Sequence, residues 1–161
     1  MSTATTEVVP RATVRRLQLA VLRPGQQVVP EDLVDEPGAF YVAAFTSEGV
    51  LAGAATMLPE RYPLPAGGAP GPGRGWRLRG MATDPALRGQ GFGEAVLTRA
   101  MGEAAARGGA YTWCNARSTA VPFYERLGFR SEGEEFVITL PDGTEIPHFL
   151  MWTPLGPAAD A

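Results

Sequence analysis

Lysine is absent from this 161-residue chain, and all fourteen basic residues are arginine. That excludes a phosphate-binding loop ending in Gly-Lys-Ser/Thr, because the ammonium that reaches the phosphates is missing. Cysteine occurs once, as Cys114, so no intrachain disulfide can form, which fits a reducing compartment. Histidine is also single, His148. No apolar run approaches the ~20 residues that a membrane-crossing helix needs, and no basic segment followed by an apolar one opens the sequence. The net charge of −3 gives no general attraction to nucleic acid or to an anionic membrane. A cytoplasmic protein is expected, without nucleic-acid or membrane partners and without a metal site. The length suits one domain with a hydrophobic core.

What the chain does have is concentrated in residues 76–93. Trp76 to Thr83 reads as a strand. Asp84 and Pro85 stop it, since proline cannot donate to a ladder and restricts the residue before it. Arg88-Gly89-Gln90-Gly91-Phe92-Gly93 follows, then a helix over 91–107 with Val96, Leu97, Ala100, Met101 and Ala104 on one stripe. Strand, glycine-rich turn and helix start point free N–H groups and a positive dipole end at one spot, which suits a phosphate. The glycines fall at every second residue, so the dinucleotide spacing G-x-G-x-x-G is not met.

Elsewhere the reading is coarser. Residues 1–9 and 153–161 read as disordered tails. Pro10 to Arg23 has helical spacing, although a short strand within 5–14 is an alternative. Residues 26–38 read as a solvated acidic loop or short helix. Strands over 39–46 and 50–58 form a hairpin around Ser47-Glu48-Gly49. Residues 59–75, dense in Pro and Gly, read as a mobile loop. Residues 110–116 form a strand, and Ser118 caps a helix over 119–127 that ends at Gly128. Strands over 136–140 and 146–152 close the chain. Trp76, Trp113 and Met101 read as core, and Cys114 as a small apolar residue rather than a nucleophile.

Arg88-x-x-Gly91-x-Gly93 resembles the acyl-CoA pyrophosphate loop of the GNAT superfamily of N-acyltransferases. About thirty residues on, Ala120-Val-Pro-Phe123-Tyr124-Glu-Arg126-Leu-Gly128-Phe129 resembles that superfamily's second signature, Ala-x-x-Phe-Tyr-x-x-x-Gly-Phe. The ending around His148 also resembles the ElaA-like branch. The resemblance implies a single domain over 1–161 of the α/β (α+β) class, with helices flanking a mixed central sheet whose two parallel strands splay apart. It further implies acetyl-CoA as co-substrate and direct attack by an amine acceptor, a small molecule or a peptide. A homodimer stays open. The alternative is a non-catalytic CoA-binding or regulatory module on the same fold. Lacking lysine, the protein could not acetylate lysine side chains of its own.

Residue by residue, the resemblance places the pantetheine arm on the backbone of Met81, Ala82 and Thr83. The diphosphate falls to Arg88, Gly89, Gln90, Gly91, Phe92 and Gly93, with Phe123 and Arg126 beside it. Where many members carry an asparagine that contacts the cofactor, this chain has Arg117, and Asn115 is the nearby amide; either could inherit the role. Tyr124 matches the proton donor to the leaving thiolate. The base is not fixed by the resemblance: Glu135, with Glu134 beside it, and His148 are the candidates.

Overall fold

A computed structural model describes residues 4–63 and 73–156. In chain order it contains β1 (Thr5–Val9), α1 (Arg11–Leu22), a 3₁₀ turn (Pro30–Leu33), β2 (Phe40–Phe45), β3 (Leu51–Pro59) and β4 (Gly75–Thr83). Then come α2 (Phe92–Ala106), β5 (Tyr111–Arg117), α3 (Val121–Arg126), β6 (Arg130–Thr139) and β7 (Glu145–Pro154). The strands form one mixed sheet in the order β1-β2-β3-β4-β5-β7-β6, and only β4 and β5 run parallel.

Strand periodicity explains the layering, because alternate side chains point to opposite faces. In β2, Phe40, Val42 and Ala44 pack in one core with Val96, Leu97, Ala100 and Ala104 of α2. Tyr41 and Ala43, between them, pack with Val14 of α1 in another. Helices thus cover both faces, and β2 is apolar at every position rather than alternating.

The β4–β5 ladder is short. It pairs Gly75 with Tyr111, Trp76 with Thr112 and Arg77 with Trp113, and then stops. β5 goes on pairing with β7 as far as Arg117 and His148, while β4 stays with β3 to Thr83. The strands therefore diverge, as the resemblance implied. A register shift between Ala54 and Thr56 marks a bulge in the β3–β4 pair, and Gly80 sits beside it at φ +60. Bulges bend a strand and raise its twist, which carries β4 away from β5. Gly80 is required there twice over. Its φ disfavours any side chain, and a Cβ would collide with the Gln18 amide.

Several sequence expectations need correction. Thr5–Val9 is a strand paired with β2, and a helix follows it, so the two alternatives for this segment both hold. Thr153 and Pro154 belong to β7, and the Leu155 N–H donates to the Ala110 carbonyl. Within 59–75, Pro59 ends β3 and Gly75 starts β4. Tyr62 is buried against Tyr111 and Trp113, and its N–H donates to the Tyr111 hydroxyl. The centre of that expected loop, 64–72, lies outside the described residues, as do 1–3 and 157–161. β6 starts at Arg130 rather than 136, because an exposed edge strand tolerates Glu132, Glu134 and Glu135. Ser118 does not cap α3; its hydroxyl donates to Glu135.

Candidate active site

The divergence of β4 and β5 opens a cleft of about 990 Å³. Its floor at one end is the turn into α2. The Asp84 carboxylate accepts from Ala86 N–H and sets the bend. Gly89 and Gly91 take φ of +79 and +87, which only glycine adopts readily. Gly91 stands at the N-cap of α2 and offers no side-chain cap, so the first N–H groups of the helix are left for something else. Gly93 lies under the Phe123 ring, and the Arg126 guanidinium stands over that ring, 5.9 Å from its centroid. Arg88 lines the same end.

Tyr124 and Cys114 meet in the middle. Tyr124 is only 6% exposed, packed edge-on against Phe123 and Phe129. Tyr124 is the more buried of the pair, and Phe123 is half-buried. Burial pushes the Tyr124 hydroxyl well above its ordinary pKa, and the neighbouring Cys114 adds to this. Burial likewise pushes the Cys114 thiol up, with Arg77 and Tyr124 opposing. Both groups therefore keep their protons at neutral pH: the tyrosine hydroxyl has one to donate, and the cysteine is a thiol rather than a thiolate.

The other end is made of side chains from distant segments. The α1 stripe Arg11, Arg15, Gln18 and Leu22 faces it at spacings of four, three and four. Gln18 is 1% exposed; its amide nitrogen donates to Thr56 Oγ1 and to the Gly80 carbonyl, each at 2.9 Å. The acidic segment after α1 is not a solvated loop. Asp32 is buried and accepts from Arg15 at 2.9 Å and from Val29 N–H at 3.0 Å. The backbone hydrogen bond, with help from Arg15, holds its carboxyl below the usual range despite burial. Glu36 pairs with Arg79 and with Arg11.

Opposite α1, the β6–β7 hairpin contributes Ile138, Leu140, Ile146 and His148. His148 stacks on Phe136, and its Nδ1 lies 2.7 Å from the Ile146 carbonyl, which requires Nδ1 to carry the hydrogen. Burial lowers its pKa, with Arg117 acting the same way against the Ile146 bond. Arg117 is tied to the α1 C-terminus, donating to the Leu22 carbonyl at 2.9 Å.

Of the sequence-derived site residues, Met81, Ala82, Thr83, Arg88, Gly89, Gly91, Phe92 and Gly93 line the cleft. So do Asn115, Arg117, Phe123, Tyr124, Arg126 and His148. Gln90 is exposed and Glu135 is exposed and bonded to Ser118; neither reaches the cleft wall. The sequence reading missed Arg11, Arg15, Gln18, Arg23, Glu36, Arg77 and Arg79. The helical spacing of the α1 polar residues was the available signal.

The sequence profile of the Acetyltransferase (GNAT) family matches residues 10–129. The uncharacterized N-acetyltransferase YitI of Bacillus subtilis (strain 168) is 33% identical over 122 residues, spanning 73% of this chain and 76% of that protein. Among solved structures, the ribosomal-protein-S18-alanine N-acetyltransferase of Escherichia coli superposes with a TM-score of 0.67 at 19% identity, covering 98% of this chain and 97% of its own. Escherichia coli ElaA does so with a TM-score of 0.63 at 16% identity, covering 95% and 99%. At such identities the structural likeness speaks for the fold alone. The profile, over the segment that carries both the glycine turn and Tyr124, and the YitI likeness place this chain in the GNAT acetyltransferase family.

Proposed function

We propose that the protein transfers an acetyl group from acetyl-CoA to an amine by direct attack, without an acyl-enzyme intermediate. The observation that carries this is the conjunction of an uncapped helix start at Gly91 with strands that part after Arg77 and Trp113. A diphosphate fits the first, since free N–H groups and a positive helix end stabilise it. An amide-bearing pantetheine arm fits the second, where the backbone of Met81 to Thr83 lacks a β5 partner. Bound there, acetyl-CoA supplies an activated acyl carbon.

The protein's own residues do the rest. Arg88 and Arg126 offset phosphate charge. Tyr124 holds a proton on its hydroxyl at neutral pH, facing the position of the departing sulfur. The amine must lose a proton, because at pH 7 a primary amine of pKa ~10 is neutral in only about one part in a thousand. His148, kept neutral with Nδ1–H committed to Ile146, has an Nε2 without a hydrogen-bond partner among the described residues, able to accept that proton directly or through water. In the step, the amine nitrogen bonds to the acyl carbon as the carbon–sulfur bond breaks. The electron pair leaves with sulfur, Tyr124 protonates it, and the amine's proton passes to the base.

The test is calorimetric titration of CoA, followed by free-thiol release from acetyl-CoA across an amine panel. Tight CoA binding and amine-dependent thiol release are expected. CoA binding with no release by any amine would favour a non-catalytic module, and absence of CoA binding would overturn both readings.

A further inference from the structure

Eight of the fourteen arginines line the cleft, against two carboxylates, Glu36 and Glu94. Four of the eight are ion-paired and share three carboxylates: Arg11 and Arg15 with Asp32, Arg79 with Glu36, and Arg77 with Glu60. Among the described residues, the other four have no carboxylate within ion-pair distance: Arg23, Arg88, Arg117 and Arg126. They fall into two pairs. Arg88 and Arg126 stand at the glycine turn, where phosphates would lie. Arg23 and Arg117 stand at the opposite end, at the C-terminus of α1 and the end of β5.

The second pair is unusual. Both line the cleft, and Arg117 bonds the carbonyl of Leu22, the residue next to Arg23; burial first, and the like charge of Arg23 second, lower the Arg117 pKa. The Leu22 carbonyl satisfies one Arg117 donor, which leaves most of a five-donor fork unused. Leu22, Ile138, Leu140 and Ile146 supply apolar wall to the same cleft, and Ile146 lies two residues from His148, the strand partner of Arg117. A cation pair without an anion, beside an apolar pocket, is complementary to an amphipathic anion.

We propose that the acceptor amine carries a carboxylate, as in an amino acid with an apolar side chain, with the carboxylate between Arg23 and Arg117 and the side chain among Leu22, Ile138, Leu140 and Ile146. This rests on the acyl-transfer reading and moves Arg117 from the cofactor to the acceptor. The carboxylate anchors the molecule while its amine points back toward His148 and Tyr124.

The experiment titrates N-acetyl-leucine and N-acetyl-leucinamide into the protein saturated with CoA. These ligands mimic the product with and without the charge, so binding is read even where turnover is absent. The carboxylate form is expected to bind at least tenfold more tightly. Arg117→Gln and the exposed Arg23→Ala should each cut that preference to about threefold or less, with CoA affinity unchanged. Equal affinity for the two ligands, or no binding of either, would overturn the proposal. So would a tenfold loss of CoA affinity in Arg117→Gln with the preference intact, since Arg117 would then serve the cofactor. Failure of CoA to bind the wild type would instead remove the acyl-transfer reading. The same two ligands on CoA-free protein would still decide for or against the arginine pair.

Discussion

The two ends of the cleft are built differently. The α2 end is made of backbone: Asp84 sets a turn, Gly89 and Gly91 take left-handed φ, and N–H groups are left uncapped. All of it lies within ten residues of sequence. The α1 end is made of side chains: Arg11, Gln18, Glu36, Arg79, Arg117 and His148 come from five separate elements or connections. A backbone site recognises what every member of a ligand class shares, such as a diphosphate. A side-chain site recognises what distinguishes one ligand from another. In the proposed function, common cofactor and particular acceptor are thus divided between local and long-range structure.

Tyr124 stands where the two ends meet, and changing it should have the largest effect. Tyr124→Phe removes one oxygen and leaves the packing against Phe123 and Phe129 in place. With the proton donor gone, turnover should fall by roughly 10²–10⁴, while CoA affinity and melting temperature stay near wild type. Steady-state rates beside CoA titrations measure this. Unchanged turnover would remove Tyr124 from the chemistry and leave the two ends joined by packing alone.

A second change attacks the joint through its backbone. Gly80→Ala puts a Cβ at φ +60 and against Gln18, whose amide bonds both Gly80 and Thr56. Positive φ and overpacking together should cost about 2–3 kcal/mol of stability, read by denaturant unfolding. Acceptor binding should suffer as α1 shifts. A cost near zero would mean that α1 is not fixed to β4 by this contact.

How much of this the sequence revealed follows the same division. Arg88 to Gly93 and Phe123 to Phe129 were readable because their chemistry is contiguous: a turn needs glycine at fixed positions, and a short helix needs its aromatics in a fixed order. The splay of β4 and β5 followed from the resemblance they carry. Asp32 and Glu36 looked like solvated carboxylates because nothing nearby in sequence shows that Arg15 and Arg79 meet them. Glu135 looked available because its bond to Ser118, seventeen residues away, depends on how β6 folds back. β1 looked like a frayed tail because an edge strand of mixed polarity has no pattern of its own until β2 pairs with it.

The backbone end can be tested on its own. Gly91 has open space around it, so a side chain there meets no neighbour, although at φ +87 it is strained. Gly91→Val should obstruct the approach to the α2 N-terminus and weaken CoA binding tenfold or more, about 1.4 kcal/mol. Carboxylate recognition at the other end should be spared. Equal CoA affinity in a folded variant would sink the assignment of the turn to the cofactor.

The smallest effect concerns pH and belongs to the side-chain end. Burial, with Arg117 adding to it, holds the His148 pKa below its ordinary 6.5. The unfolded chain therefore binds this proton more readily than the folded one. Stability contributed by neutral His148 is present above pH 6.5 and is lost as pH falls from there toward the lower, folded value. Asp32 works in a different window, because its carboxyl sits below 3.8 and its contribution fades only at more acid pH. Urea unfolding at pH 7.5 and 5.5 should thus show wild type weakening with acid, and His148→Gln, which has no ring to protonate, weakening less. The turnover of the wild type should fall at the acid end of that window, as pH passes the lowered folded pKa, since a protonated His148 cannot accept the amine's proton. An identical loss of stability in the two proteins would mean that other groups titrate there. A pH-rate profile unchanged by His148→Gln would move the base elsewhere in the cleft, where Glu36 is the carboxylate that lines the α1 side among the described residues.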